Sequence, residues 1–211
     1  MLRLLVKRHR DTAAQLRAKQ IVRVSALLTE LHPGGLRSKA TPTKAAELLA
    51  SVAGTDEVTR CRVLIARELL GDIALLDDTL KASKQRIAAA VEASGTTLWD
   101  IVGIGPICAA TIIGCSAGDV TSFASKHGYA TYNATAPLET SSGGRTRHRL
   151  NPRGNRTLNF AIHIAAVVQI RNPGEGRAFY DRKISEGKTN KGSDPRVETT
   201  YIGPRLHAPR R

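Results

Sequence analysis

Residues 58–93 read VTRCRVLIARELLGDIALLDDTLKASKQRIAAAVEA, and this stretch decides the fold class. Ala66, Leu69, Ile73, Leu76, Leu80, Ser83, Ile87 and Ala90 recur by alternating steps of three and four, a heptad seam. One helix of roughly 50 Å follows from that length. A seam of this kind is covered equally well by an antiparallel helix of the same chain or by an intermolecular coiled coil.

Upstream, residues 2–31 carry a second helical stripe: Ala13, Leu16, Gln20, Val24, Leu27 and Leu31. Its other face bears Arg3, Lys7, Arg10, Arg17 and Lys19, and His32-Pro33-Gly34-Gly35 stops it. Thr41-Pro42 opens a short helix that runs through Glu47 to Val52, and Gly54-Thr55-Asp56 is a turn.

Downstream, Ile101-Val102-Gly103-Ile104-Gly105-Pro106 precedes ICAATII, the pattern of a helix-hairpin-helix. Gly103 and Gly105 would let the backbone approach a phosphate, with the N–H groups of the second helix aimed at it. Pro106 suits the first helical position, where no donor is lost. A structural corner would use the same glycines. Residues 119–136, with Phe123, Tyr129 and Tyr132, read as a short helix under the hairpin. Residues 137–144, PLETSSGG, read as a loop-rich stretch.

After that loop, RTRHRL has period two, so an extended chain sets Arg145, Arg147 and Arg149 on one side. Three guanidiniums so placed make a phosphate comb, reinforced by Arg153 and Arg156; a solvated basic turn is the alternative. Gly154-Asn155 reads as a turn and N-cap. Residues 156–170 are apolar nearly all round, which predicts a buried helix with His163 as a core histidine. A polar helix end covers 173–188, and 189–211 reads as a disordered basic tail.

Composition narrows the function classes. The 211 residues hold 32 Lys plus Arg against 18 Asp plus Glu, a net charge of +14. Residues 142–211 contribute +10 of it, from 15 basic and 5 acidic groups. Such charge points to a nucleic-acid partner. Aromatics at 4% argue against an aromatic RNA platform. No apolar stretch is long enough to span a bilayer, so no membrane partner is expected. Met1–Arg10 lacks the apolar core of a signal peptide. Cys61, Cys108 and Cys115 form no CxxC pair and read as reduced thiols, the last two as small core residues. Asp77, Asp78, Asp100, Asp119, Glu139 and Asp181 do not gather into the carboxylate set of a two-metal nuclease. No metal or other cofactor is expected on this chain.

The one nucleophile beside dense positive charge is in Ser141-Ser142-Gly143-Gly144. A serine there can attack a phosphodiester if Arg145, Arg147 and Arg149 offset the developing charge, with His148 as the nearest base. A flexible loop has the same composition.

The runs TLWDIVGIGPICAATIIG, GDVTSF, YNATAPLE, SSGGRTRHRLNPRGNRTLNFAIHIAAV and FYDRKISEGKT resemble the C-terminal domain of a bacterial transposase family. This is the bridge-RNA-guided insertion-sequence family one-ten/one-sixteen/nine-oh-two. The resemblance covers about residues 1–189. It implies a mainly α fold: long coiled-coil helices as a linker over 1–95, then a helical transposase domain over 96–188. That domain would carry the helix-hairpin-helix and a short extended basic loop. The resemblance also implies DNA transposition through a serine, Ser142 first and Ser141 next. Gly103, Gly105, Arg145, Arg147, Arg149, Arg153, Asn155 and Arg156 would be its DNA-binding residues. A guide RNA and a homo-oligomer joined through the coiled coil are the further partners implied, in a bacterial cytoplasm near the nucleoid. Magnesium is expected only with a RuvC-like DEDD domain. The resemblance begins at the linker, so a fragment inactive on its own is expected; a non-catalytic DNA- or RNA-binding helix-hairpin-helix module is the alternative. Ala134 stands where the family has glycine in its Y-x-G-T-A-P stretch.

Overall fold

The computed structural model describes residues 1–32, 41–54, 56–116, 123, 125–136, 138–142, 145–149, 151 and 153–186, with backbone alone at 126, 138–142 and 145–149. The tail read at 189–211 lies outside them. The fold is mainly α. It divides into two compact units: Leu4–Arg86, and Met1–Arg3 together with the described residues from Ile87 on.

The first unit is built on a helical hairpin. Helix α1 (Leu2–Asp11) passes through a π-helical turn at Thr12–Arg17 into α2 (Ala18–Leu31). Helix α3 spans Pro42–Ser51 and α4 spans Glu57–Glu92. Thr41 caps α3, its side-chain oxygen accepting from the Lys44 N–H, and Pro42 takes the position where no donor is lost. Asp56 accepts from the Thr59 N–H at 2.9 Å at the start of α4.

Three polar pairs fix how α2 and α4 run. Arg17 grips Asp77 with a guanidinium fork, Gln20 Nε2 donates to Asp72 at 3.1 Å, and Arg62 Nε meets Glu30 at 3.0 Å. Rising numbers on one helix match falling numbers on the other, so the helices are antiparallel. Val24 and Leu28 of α2, Ala45 and Leu49 of α3, and Val63, Ala66 and Ile73 of α4 form one buried core. Of the two covers open to the α4 seam, the antiparallel partner from the same chain is the one found within this unit. The π turn also moves the α1–α2 stripe. Thr12 is buried and Leu16 is exposed, against the expected pattern, because a wider turn rotates the following residues around the axis.

The second unit begins on the last turns of α4, where Ile87 and Val91 are buried. Gly95, at φ 62°, ends that helix, and a 3-10 turn follows at Leu98–Asp100. Helices α5 (Pro106–Cys115) and α6 (Lys126–Tyr132) come next. Strands β1 (Leu138–Ser142) and β2 (Arg145–Arg149) pair antiparallel, followed by α7 (Arg156–Arg171) and α8 (Glu175–Ser185). Helix α7 is the centrepiece: α5 packs on one part of it and α8 on another. Leu158, Ala161, Ile162 and Ala165 are its buried side, but Phe160 is 58% exposed, so it is not buried all round. His163 is half-buried.

Three further expectations are corrected. The helix-hairpin-helix has no first α-helix: glycine turns at 95 and 103 leave room for the 3-10 turn alone, tied by the Leu98 N–H to Thr96 Oγ1 at 3.2 Å. The stretch 137–144 is not all loop, since 138–142 is strand β1. Cys108 and Cys115 are half-buried rather than core residues, and Cys61 is exposed.

Candidate nucleic-acid interface

The Ile101–Gly105 turn sits on α7. Ile101 and Ile104 are buried, and Gln169 Nε2 donates to the Val102 carbonyl at 2.7 Å. The two glycines do different jobs. Gly103 has φ 88°, and a Cβ there would lie 2.6 Å from the Ala165 carbonyl oxygen. Its role in the fold is close packing. Gly105 caps α5, and a Cβ there would meet nothing within 4 Å, so its backbone faces open space. Of the two candidate phosphate contacts, Gly105 has the accessible geometry. Burial pushes the Cys108 thiol upward, against a backbone hydrogen bond with Gly105.

The serine and arginine series lie on the strand hairpin. Ser142 pairs in register with Arg145, Thr140 with Arg147 and Leu138 with Arg149. Ser141 pairs with Thr146 and Glu139 with His148. Strand period two therefore puts Ser142 in the arginine series of register positions and Ser141 in the other. Gly143-Gly144, between the strands, lie outside the described residues.

The feet of this hairpin are held by α6 and its C-terminal turn. The Thr135 and Ala136 N–H groups both donate to the Ala130 carbonyl at 2.9 Å. On the other foot, Asn151 Nδ2 donates to the Thr131 carbonyl at 3.1 Å, and the Asn155 N–H donates to the Tyr132 carbonyl at 2.7 Å. Asn155 Oδ1 accepts from the Leu158 N–H at 3.1 Å, the N-cap of α7. Its Nδ2 donates to Tyr132 Oη at 3.1 Å, and that hydroxyl donates onward to the Cys115 carbonyl at 2.9 Å. Phe123 packs edge-on to Tyr129 at 5.1 Å. Burial pushes the Tyr129 phenol well above its usual range.

Both amide atoms of Asn155 are thus engaged inside the protein, so a DNA contact by this side chain competes with the α7 cap. Arg153 and Arg156 are exposed beside the second foot. The sequence marked the arginines and serines as the site, Tyr132 only as part of a short helix and Ala134 only as a departure from the family pattern; their part, with Asn151, in the hairpin's base was not read from it. A Gly-Gly pair between two extended runs was the available hairpin signal. Among the described residues, no three His, Cys, Asp or Glu side chains gather to hold a metal ion. Among them, no helix is long and apolar enough to cross a membrane.

Residues 95–181, which hold this turn, hairpin and α7, match the Transposase IS116/IS110/IS902 family. The chain is 36% identical over 87 residues to an uncharacterized 42 kDa protein of insertion element IS900 from Mycobacterium paratuberculosis. It is 29% identical over 130 residues to an uncharacterized 43.6 kDa protein of insertion element IS110 from Streptomyces coelicolor. These matches cover 41% and 60% of this chain, and 22% and 32% of the two relatives, so the chain spans a third or less of either. Residues 95–181 of the chain are thus similar to the Transposase IS116/IS110/IS902 family.

Proposed function

We propose that this chain acts in DNA transposition, with the strand hairpin as the DNA-cleaving element and Ser142 as its nucleophile. The observation that carries the reading is the register: Ser142 stands opposite Arg145 and two and four positions from the levels of Arg147 and Arg149. The similarity of residues 95–181 to a transposase family supports the reaction class.

In the proposed step the Ser142 hydroxyl attacks a backbone phosphorus and loses its proton to a general base. A phosphorus–Oγ bond forms as the bond to the leaving strand breaks. The leaving oxygen takes up a proton and departs as a sugar hydroxyl. Attack by a second strand's hydroxyl reverses the step and rejoins DNA. The arginines stabilise the charge that builds on the phosphoryl oxygens. Gly105 and the exposed Arg153 and Arg156 extend the phosphate contacts. The rest of the assignment is part of the same proposal: 1–95 as linker, 96–188 as catalytic part, a guide RNA, and a cytoplasmic, nucleoid-associated setting. Magnesium held by a RuvC-like partner domain belongs to it too. A homo-oligomer would use surface other than Val63, Ala66 and Ile73, which the intrachain core already occupies.

The test combines the full chain, labelled insertion-end DNA, magnesium and a RuvC-like partner, followed by denaturing electrophoresis. A protein–DNA adduct should persist in Ser141→Ala and vanish in Ser142→Ala. The reverse pattern overturns the assignment. Salt-dependent binding with no adduct in any combination retires the catalytic reading in favour of a non-catalytic DNA- or RNA-binding module.

A further inference from the structure

A second concentration of positive charge lies far from the serine in sequence, on the helical hairpin of residues 4–86. Residues 4–11 and 78–86 hold six basic side chains (Lys7, Arg8, Arg10, Lys81, Lys84 and Arg86) against Asp11 and Asp78. The antiparallel register set by Arg17–Asp77, Gln20–Asp72 and Arg62–Glu30 brings these two segments alongside each other at one end of the hairpin. All six basic side chains are exposed. Among the described residues, no ion pair engages Lys7, Arg8, Lys81, Lys84 or Arg86, whereas nearby Asp77 is already taken by Arg17. His9 lies in the same field: burial first, and Lys84 second, lower its pKa.

The chemistry of the patch selects its partner. Neither segment contains Phe, Trp or Tyr, so there is no platform for stacking the bases of a single strand. Val6 of α1 and Ser83 of α4 are turned inward and buried, and among the large apolar side chains of these two segments Leu4 alone is strongly exposed, too little to make an apolar face that enters a lipid surface. What remains is exposed cations on rigid helices, suited to the dense and regular phosphates of a duplex. We infer that this end of the hairpin is a second, sequence-independent docking surface for duplex DNA. The choice of DNA as the polymer rests on the proposed function; the surface itself does not.

The experiment measures binding of the full chain to a duplex of arbitrary sequence across a salt series. Each lost phosphate contact lowers the log–log salt slope by about one. The variant Arg8→Gln/Lys81→Gln/Lys84→Gln should therefore lose roughly two to three units of slope. Its charge-preserving counterpart Arg8→Lys/Lys81→Arg/Lys84→Arg should keep the slope, which separates charge from folding. An unchanged slope in the Gln variant overturns the surface, as does an equal loss in the charge-preserving one. Loss confined to an RNA duplex or to anionic phosphatidylserine vesicles, with DNA binding intact, overturns the assignment to DNA. The strand variant Arg145→Gln/Arg147→Gln/Arg149→Gln is measured beside them. An unchanged slope there sinks the strand as a DNA contact and leaves the helical surface standing.

Discussion

Gly154 lies against Ala134 so closely that a Cβ added to it would sit 2.3 Å from the Ala134 Cβ and 2.7 Å from its backbone nitrogen. Ala134 itself has φ 63°, the left-handed region that favours glycine. The contact joins the two feet of the strand hairpin, so its integrity bears on the element proposed to cleave DNA. Gly154→Ala is expected to lower stability by about 1–3 kcal/mol, the usual cost of forced overpacking. Chemical denaturation of the full chain checks it. Pairing it with Ala134→Gly should recover only part of the loss, once the gain from Ala134→Gly alone is subtracted, because the backbone nitrogen remains in the way. Full recovery would mean that the side chain alone makes the clash.

Ala134→Gly alone should stabilise. An L-residue in the left-handed region costs roughly 1–2 kcal/mol, and glycine's extra freedom in the unfolded chain returns about 0.5–1 kcal/mol of that. The net expectation is a gain of about 0.5–1 kcal/mol, read as a higher midpoint in thermal unfolding. The residue was visible in the sequence as an alanine where the resembling family has glycine; its strain became visible only in the backbone angle.

Asn155 is expected to matter for the fold before it matters for DNA. Asn155→Ala removes the α7 cap and the link to Tyr132, a loss of about 1–2 kcal/mol. Asn155→Asp keeps an acceptor for the Leu158 N–H and loses only the donor to Tyr132 Oη, so it should lose less. Equal losses in urea melts would show that the Tyr132 link, not the cap, dominates.

Much of this architecture was legible because helices announce themselves by period. The seam from Ala66 to Ala90, the Thr41-Pro42 start and the Asn155 cap are local signals, and each matches an observed element. What escaped reading depended on partners distant in sequence or on backbone geometry. Leu16 is outside because a π turn intervenes. The first helix of the hairpin-helix motif shrank to a 3-10 turn between two positive-φ glycines. Strand β1 has weak apolar alternation and depends on pairing with β2, which no property of LETSS alone reveals. At the candidate site, the basic residues were legible by type. The base that holds them was not, because Tyr132 and Asn151 act through backbone carbonyls and a hydroxyl chain.

His9 gives a pH prediction with a definite sign. Burial first, and Lys84 second, lower its pKa from the ordinary histidine value of 6.5. The folded state therefore binds fewer protons at this site than the unfolded chain at pH values just below 6.5. Stability from this site is present above that value and is lost as pH falls toward the folded pKa. Comparing wild type with His9→Gln cancels the background of carboxylates that titrate in both. The difference in unfolding free energy should shift against the wild type between pH 7.5 and pH 5.5. Lys84→Gln should shrink that shift without abolishing it, because desolvation is the larger cause. A difference independent of pH would show that His9 keeps its ordinary pKa in the folded hairpin.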